Sequence, residues 1–299
     1  MLDYPAARAV ALVVETGSFE AAARALSVTP SAISQRVKQL EERLGTVLIA
    51  RGTPCLATPE GEWLCRHIEH VGMLEKELIR QLPGLEKIAA AAERVTVAIA
   101  TNADSLGTWF LQAVAPFATD AAYLLNVAID DEDHTAEWLE RGRVLAAVTA
   151  MKKPVQGCHV TALGALRYRA TASPAFVARH FPNGVTLETL AQAPGLTFNQ
   201  KDRLQHSWIK QNLGQAIAYP THWLPSTHSF VDACLLGIGW GLNPDAMVAD
   251  HLASGRLVEL IPGAAFDVPL FWQVSRLARD RLAALTKNVV ASAKHALVA

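Results

Sequence analysis

Residues 29–45 read TPSAISQRVKQLEERLG, a stretch whose polar side chains are spaced to share one face. At about 100° per residue, Ser31, Gln35 and Lys38 fall on one side of a helix, with Ala32 and Gln39 beside them and Arg36 on the flank. Ser34 is counted with them as a contact candidate. In a DNA major groove, Gln can pair with both edge atoms of adenine, Arg with guanine or phosphate, and Ala or Ser can approach a thymine methyl. The free N–H groups at the start of such a helix suit a phosphate. A helical hairpin with a merely solvated polar face shows the same bare pattern, so this face alone does not separate the two.

The elements that must position this face follow from the flanking residues. FEAAARAL (Phe19–Leu26) predicts a first helix whose alanines let a second helix cross closely. Ser27 and Val28 make the turn, and Thr29-Pro30 opens the second helix as an N-cap followed by proline at the first helical position. Ile33, Val37, Leu40 and Leu44 then form one apolar stripe, and Gly45 closes the helix. From Pro59 a long helix should reach at least Leu82, with Leu64, Ile68, Val71, Leu78 and Leu82 near heptad spacing and Leu74 adjacent. A core helix would bury such a stripe too, so the pattern alone favours self-association only slightly. Pro83-Gly84 breaks the helix, and Leu85–Glu93 leads onward.

Composition bounds the class. The 299 residues are 51% hydrophobic and 18% charged, which describes well-buried globular domains and excludes a disordered chain. The net charge of −1 supplies no basic excess, so a DNA reader here is local, binds non-specifically with modest strength and gains from pairing. No signal sequence and no apolar run of about 18 residues is present, which predicts a cytoplasmic protein without a membrane partner. Cys55, Cys65, Cys158 and Cys234 lack CxxC or zinc-like spacing and are read as reduced thiols. The histidines form no HExxH or HxH, Ser173 precedes proline instead of sitting in GxSxG, and LGIGWG (Leu236–Gly241) lacks the strand-to-helix context of a nucleotide loop. The expectation is therefore no enzyme, no metal and no cofactor.

From Arg94 short apolar strands alternate with helices, the grammar of an α/β domain. Strands are expected at Arg94–Ala100, Asn126–Asp130, Val144–Ala150, Leu166–Ala172, Gly195–Asn199, Ala216–His222, Gly239–Asn243 and Leu270–Ser275. Helices are expected at Leu106–Ala118 and Thr135–Arg141.

LVVETGSFEAAARAL (Leu12–Leu26) followed by TPSAISQRVKQLEERLG resembles the LysR-type transcriptional regulators. Further motifs are similar to the branch governing lysine and arginine export, known for ArgP, LysG and the chromosome-initiation inhibitor. They are TNADSLGTWF (Thr101–Phe110), VAIDDEDHTAEWLERG (Val127–Gly142), LGALRY (Leu163–Tyr168), FPNGVT (Phe181–Thr186), ELIPG (Glu259–Gly263) and PLFWQ (Pro269–Gln273), so the likeness spans essentially the whole chain. The resemblance implies a mainly α winged helix-turn-helix domain (1–58), a linker helix (59–93) that pairs antiparallel, and an α/β effector domain (94–299). That domain would have two subdomains like periplasmic binding proteins, 94–165 plus 270–299 and 166–269, with a co-inducer cleft between them. It also implies a wing from Val47–Ala50 and Leu56–Thr58, and DNA contacts at Ser31, Ala32, Gln35, Arg36, Lys38 and Arg51.

The implied effector is lysine or arginine. Its carboxylate suits the N-terminus of the helix near Asn102 and Ser105, and its cationic groups suit Asp104 and the run Asp130, Asp131, Glu132, Asp133. Both loops follow strand carboxyl ends, the ligand edge of an open α/β sheet. Trp109 could face an alkyl stem or ammonium, and Asn199 and Thr227 are offered from the second subdomain. Each has a plainer role: Asp104 as a helix cap, Asp131 and Asp133 in a solvated turn, Trp109 in the core. Expected partners are a pseudo-palindromic double-stranded operator, a second copy in a dimer or tetramer, and RNA polymerase as a further candidate. The alternative is a replication-control or architectural DNA-binding protein whose C-terminal domain only oligomerises.

Overall fold

The computed structural model describes residues 2–81, 95–119, 123–130 and 134–299. Its contacts divide the chain into two compact units, Met1–Val97 with Ala121–Leu124, and Ala98–Asp120 with Leu125–Ala299.

The first unit contains α1 (Tyr4–Thr16), α2 (Phe19–Ala25), α3 (Pro30–Leu44), a two-stranded wing of β1 (Ile49–Ala50) and β2 (Leu56–Ala57), and α4 (Pro59–Gln81). Ala22 and Ala23 of α2 are buried against Val10 and Val13 of α1 and Ile33, Val37 and Leu40 of α3. Methyl-sized side chains there allow the helices to cross closely. The caps follow the sequence: the Ser18 hydroxyl accepts from the Glu20 and Ala21 amides, and Thr29 Oγ1 accepts from the Ala32 amide at 3.3 Å. Gly45 ends α3 at φ 69°. Leu44 departs from its expected stripe and is 47% exposed, because the last turn of α3 runs past the core. The wing is shorter than expected, with rungs Ile49↔Ala57 and Ala50↔Leu56. Side chains replace further rungs: Glu41 Oε1 accepts the Leu48 and Ile49 amides at 2.8 and 3.2 Å, and Thr58 Oγ1 donates to the Val47 carbonyl at 2.7 Å.

The stripe on α4 serves two purposes. Leu64, Cys65 and Ile68 pack onto the core of their own unit, the burial in a core that the stripe left open. Further along, Leu74 and Leu78 are exposed. Leu82, Pro83-Gly84 and Leu85–Glu93 lie outside the described residues. Tyr4 Oη and His67 Nε2 approach to 3.0 Å, tying α1 to α4. Burial, then the nearby Glu15 carboxylate, pushes the Glu69 carboxyl up to about 7 against the pull of Arg66. Burial likewise raises the Cys65 thiol to about 12.

The second unit is built on a seven-stranded mixed sheet in the order β10-β6-β11-β5-β3-β4, with β9 also on β6. Its strands are β3 (Val95–Thr101), β4 (Tyr123–Ile129), β5 (Ala146–Thr149), β6 (Cys158–Ala172), β9 (Gly241–Pro244), β10 (Val258–Glu259) and β11 (Phe266–Ser275). A smaller parallel pair joins β7 (Gly195–Thr197) to β8 (Thr221–Trp223). The expected strand at Ala216–His222 shrinks to this last segment, while β6 and β11 begin well before their expected starts. The two long strands pair from Tyr168↔Phe266 to Cys158↔Ser275. At their midpoint the register slips, Gly164 facing Leu270 but Ala162 facing Phe271. Gly164 sits at φ 118°, where a Cβ would fall 2.6 Å from the Val298 carbonyl oxygen. Ala165 and Val298 exchange two backbone hydrogen bonds beside it, at 2.8 and 3.0 Å.

The helix after β3 starts earlier than expected. It is α-helical over Ala103–Ser105, π-helical over Leu106–Phe110 and α-helical again over Leu111–Ala118, together called α5. The remaining helices include α6 (Thr135–Glu140), α7 (Pro174–His180), α8 (Leu187–Leu190), α9 (Leu204–Leu213), α10 (Thr227–Leu235), α11 (Asp245–Ala253) and α12 (Ala283–Ala296).

Two outcomes test this packing. An added methyl at Gly61 would fall 1.9 Å from the Leu48 carbonyl oxygen, so Gly61→Ala should cost about 1–3 kcal/mol or more in thermal unfolding. An unchanged transition would refute the close approach. Because the folded pKa of Glu69 is raised, its neutral carboxyl favours folding fully below the unfolded value near 4.5, and that contribution is lost as ionisation proceeds up through about 7. Glu69→Gln should therefore unfold later than the parent at pH 8, by up to about 3 kcal/mol, with the advantage vanishing toward pH 4.5. A pH-independent difference would contradict the burial account.

Candidate functional site

The outward face of α3 presents Ser31, Gln35, Lys38 and Gln39 exposed to solvent, with Ala32, Ser34 and Arg36 half-buried. Ser31 Oγ lies 3.0 Å from Thr29 Oγ1, within the capping turn. Lys38 Nζ is 3.7 Å from Glu42, but both are well exposed, so water screens the pair and leaves the ammonium available. Arg51 is exposed beyond β1, and its guanidinium stacks over the Phe19 ring at 5.2 Å. This contact fixes the arginine stem while leaving N–H donors free to meet phosphate.

In the second unit the carboxyl ends of β3 and β4 open onto a narrow cleft. Its walls are Asn102, Ala103, Asp104 and Asp130 from one side, and Phe198, Asp202, Leu204, Gln205, Thr227, Phe230, Leu242, Asn243 and Pro244 from the other. Among the described residues three carboxylates line it, and no lysine, arginine or histidine does. Asp104 does not cap its helix. Its Oδ2 accepts from Tyr168 Oη at 2.8 Å and its Oδ1 from Thr227 Oγ1 at 2.6 Å. Asp130 accepts from Trp138 Nε1 at 3.1 Å and pairs with Lys201 Nζ at 3.4 Å. Asp202 accepts the Phe198 and Leu204 amides, each at 2.9 Å, so it shapes its own loop.

Neutral polar groups complete the lining. Asn102 stands at the N-cap position of α5, yet its side chain caps nothing. Both atoms of its amide and both of the Gln205 amide are buried without a hydrogen-bond partner, as are Asn243 Oδ1 and the Ser105 and Thr101 hydroxyls. A buried polar group left unpaired costs about 1–3 kcal/mol, and the Asn102, Gln205 and Asn243 atoms among these face the cleft. Asn243 Nδ2 donates to Thr171 Oγ1 at 2.9 Å and also touches Cys234, whose thiol burial pushes up to about 11 and so keeps protonated. Thr108 Oγ1 donates to the Asp104 carbonyl at 2.6 Å, a competitor for the helical ladder within the π-helical turn.

The expected effector residues separate on this map. Asn102, Asp104 and Thr227 line the cleft, and Ser105 is buried one residue beyond. Trp109 is 3% exposed, packs edge-on to Phe110 at 5.7 Å and stands in the core, away from the lining. Asn199 holds a turn, accepting the Lys201 and Asp202 amides at 2.7 and 3.2 Å. Asp131 and Asp133, with Glu132, lie outside the described residues. Gln205, Asp202 and Asn243 were not foreseen. Gln205 shares its buried helix face with Trp208 and Ile209, and a polar residue on an apolar stripe is a legible signal. Among the described residues no His, Cys, Asp and Glu group could hold a metal ion, and no helix is long and apolar enough to cross a membrane.

Residues 6–62 match the family described as "Bacterial regulatory helix-turn-helix protein, lysR family", and residues 90–297 match "LysR substrate binding domain". The chain belongs to the LysR family. This LysR-family regulator is 42% identical over 298 residues to the HTH-type transcriptional regulator ArgP of Pseudomonas aeruginosa, covering 100% of this chain and 98% of that protein. It is similar to the C-terminal domains of a LysR family protein from Agrobacterium tumefaciens, at 67% identity and TM-score 0.67 over 69% of this chain and 99% of that one. It is also similar to full-length LysG from Corynebacterium glutamicum with bound effector Arg, at 34% identity and TM-score 0.67 over 100% of both chains. Its relatives are transcription regulators, not enzymes.

Replacing Gln35 by Ala should weaken binding to the cognate operator by about 1–3 kcal/mol and relax preference at one base pair. Gel-shift titrations against a base-substituted operator set would measure this, and unchanged affinity and preference would remove Gln35 from the groove face.

Proposed function

We propose that this LysR-family regulator senses a basic amino acid, lysine or arginine, and controls a gene for amino-acid export. One observation carries the reading: among the described lining residues three are aspartates and none is basic, a wall that favours a cationic ligand even with Lys201 at its edge. The arginine bound to the similar LysG supports the same class.

In this reading the ligand's α-carboxylate meets the N-terminus of α5 with the Asn102 amide and the Ser105 hydroxyl, where unpaired N–H groups favour an anion. The Gln205 amide and Asn243 Oδ1 take the remaining polar atoms of the head group. Its distal cation turns to Asp104 and Asp130. No covalent chemistry is required. Ligand binds one arrangement of the two subdomains more tightly than another, and that difference in affinity is the whole of its leverage. The output is DNA binding through Ser31, Ala32, Ser34, Gln35, Arg36, Lys38 and Arg51, with two copies on a pseudo-palindromic operator.

A thermal-shift series tests this. Lysine or arginine at a hundredfold excess over Kd should add about 2.7 kcal/mol of apparent stability, whereas citrulline and norleucine should add much less. A response to no amino acid would favour an effector domain that only oligomerises. Equal response to the neutral analogues would reject the acidic wall as the source of selectivity.

A further inference from the structure

The acidic wall already meets a cation supplied by the chain itself. Lys201 Nζ lies 3.4 Å from Asp130 Oδ1. The lysine springs from the turn whose backbone Asn199 holds, one residue before the cleft residue Asp202. Asp130 sits on the opposite side, just past β4, with its other oxygen fixed by Trp138 Nε1 at 3.1 Å. The ion pair thus spans the cleft mouth, joining a strand end of one subdomain to a turn of the other. Glu137, the other acidic group that senses Lys201, is already engaged by His134 at 2.8 Å and Arg141 at 2.9 Å.

We propose that Lys201 is an internal competitor that sets the cleft's affinity and charge selectivity: its ammonium occupies Asp130 until the distal cation of a bound basic amino acid displaces it. This rests on the functional reading above, and it names the event that couples ligand charge to the subdomains. A ligand with a side-chain cation exchanges one ion pair for another and breaks a link across the cleft mouth. A neutral amino acid of the same length has nothing to offer Asp130 and leaves that link in place. Lys201 is half exposed, so the exchange involves a screened pair and its effect on affinity is modest.

Isothermal titration of the full chain with arginine, lysine, citrulline and norleucine tests the inference in the parent, Lys201→Met and Lys201→Arg. Lys201→Met should bind arginine and lysine about two- to fivefold more tightly, with the gain shrinking as salt rises, and should leave citrulline and norleucine unchanged. Lys201→Arg, which keeps the cation, should behave like the parent. Parent-like or weaker binding of arginine and lysine by Lys201→Met would overturn the inference while leaving the sensor reading intact. The same holds if Lys201→Arg gains as much as Lys201→Met. Failure of the parent and both variants to bind either basic amino acid would overturn both.

Discussion

The antiparallel pairing of β6 with β11 runs from Tyr168↔Phe266 to Cys158↔Ser275, and the second unit is organised around it. One end of the ladder carries β5 and through it β3 and β4; the other carries β9 and β10. Both walls of the cleft are therefore anchored to a single pair of strands. The slip beside Gly164 is where that pair changes allegiance, and the backbone bridge between Ala165 and Val298 brings the residues just after α12 to the same point. The ladder is continuous on both sides of that one irregular rung.

What the ladder positions is a set of groups with unequal degrees of satisfaction. The three carboxylates have hydroxyl, indole, amide or ammonium donors in place. The neutral amides of Asn102 and Gln205 have none. The carboxylates are thus oriented mostly by neutral donors and keep their charge, while the neutral amides stand without a partner. The folded chain bears these amides as a local instability, the arrangement expected where a scaffold is shaped around a ligand and not around itself.

The sequence was most readable where local rules act alone. Thr29-Pro30 and Gly45 bound α3 as capping chemistry requires, and the alanines of α2 announce the close crossing. Heptad spacing on α4 did not decide, because periodicity identifies an apolar face without saying what covers it; Leu64 and Ile68 turned inward to their own unit. Asp104 was legible as a site candidate, but its partners Tyr168 and Thr227 are 64 and 123 residues away and carry no local mark. Trp109, readable either as a ligand platform or as core, is buried within the π-helical stretch of α5. The early start of α5 escaped notice because Asn102 occupies the cap position without making the bond that usually betrays a cap.

The packing of Leu64, Cys65 and Ile68 onto the reader core, together with the bare approach of Gly61 to Leu48, has a mechanical meaning. A helix seated so closely packs as one piece with α1 and the wing strand β2. Any swing of the first half of α4 therefore has to turn this small core with it.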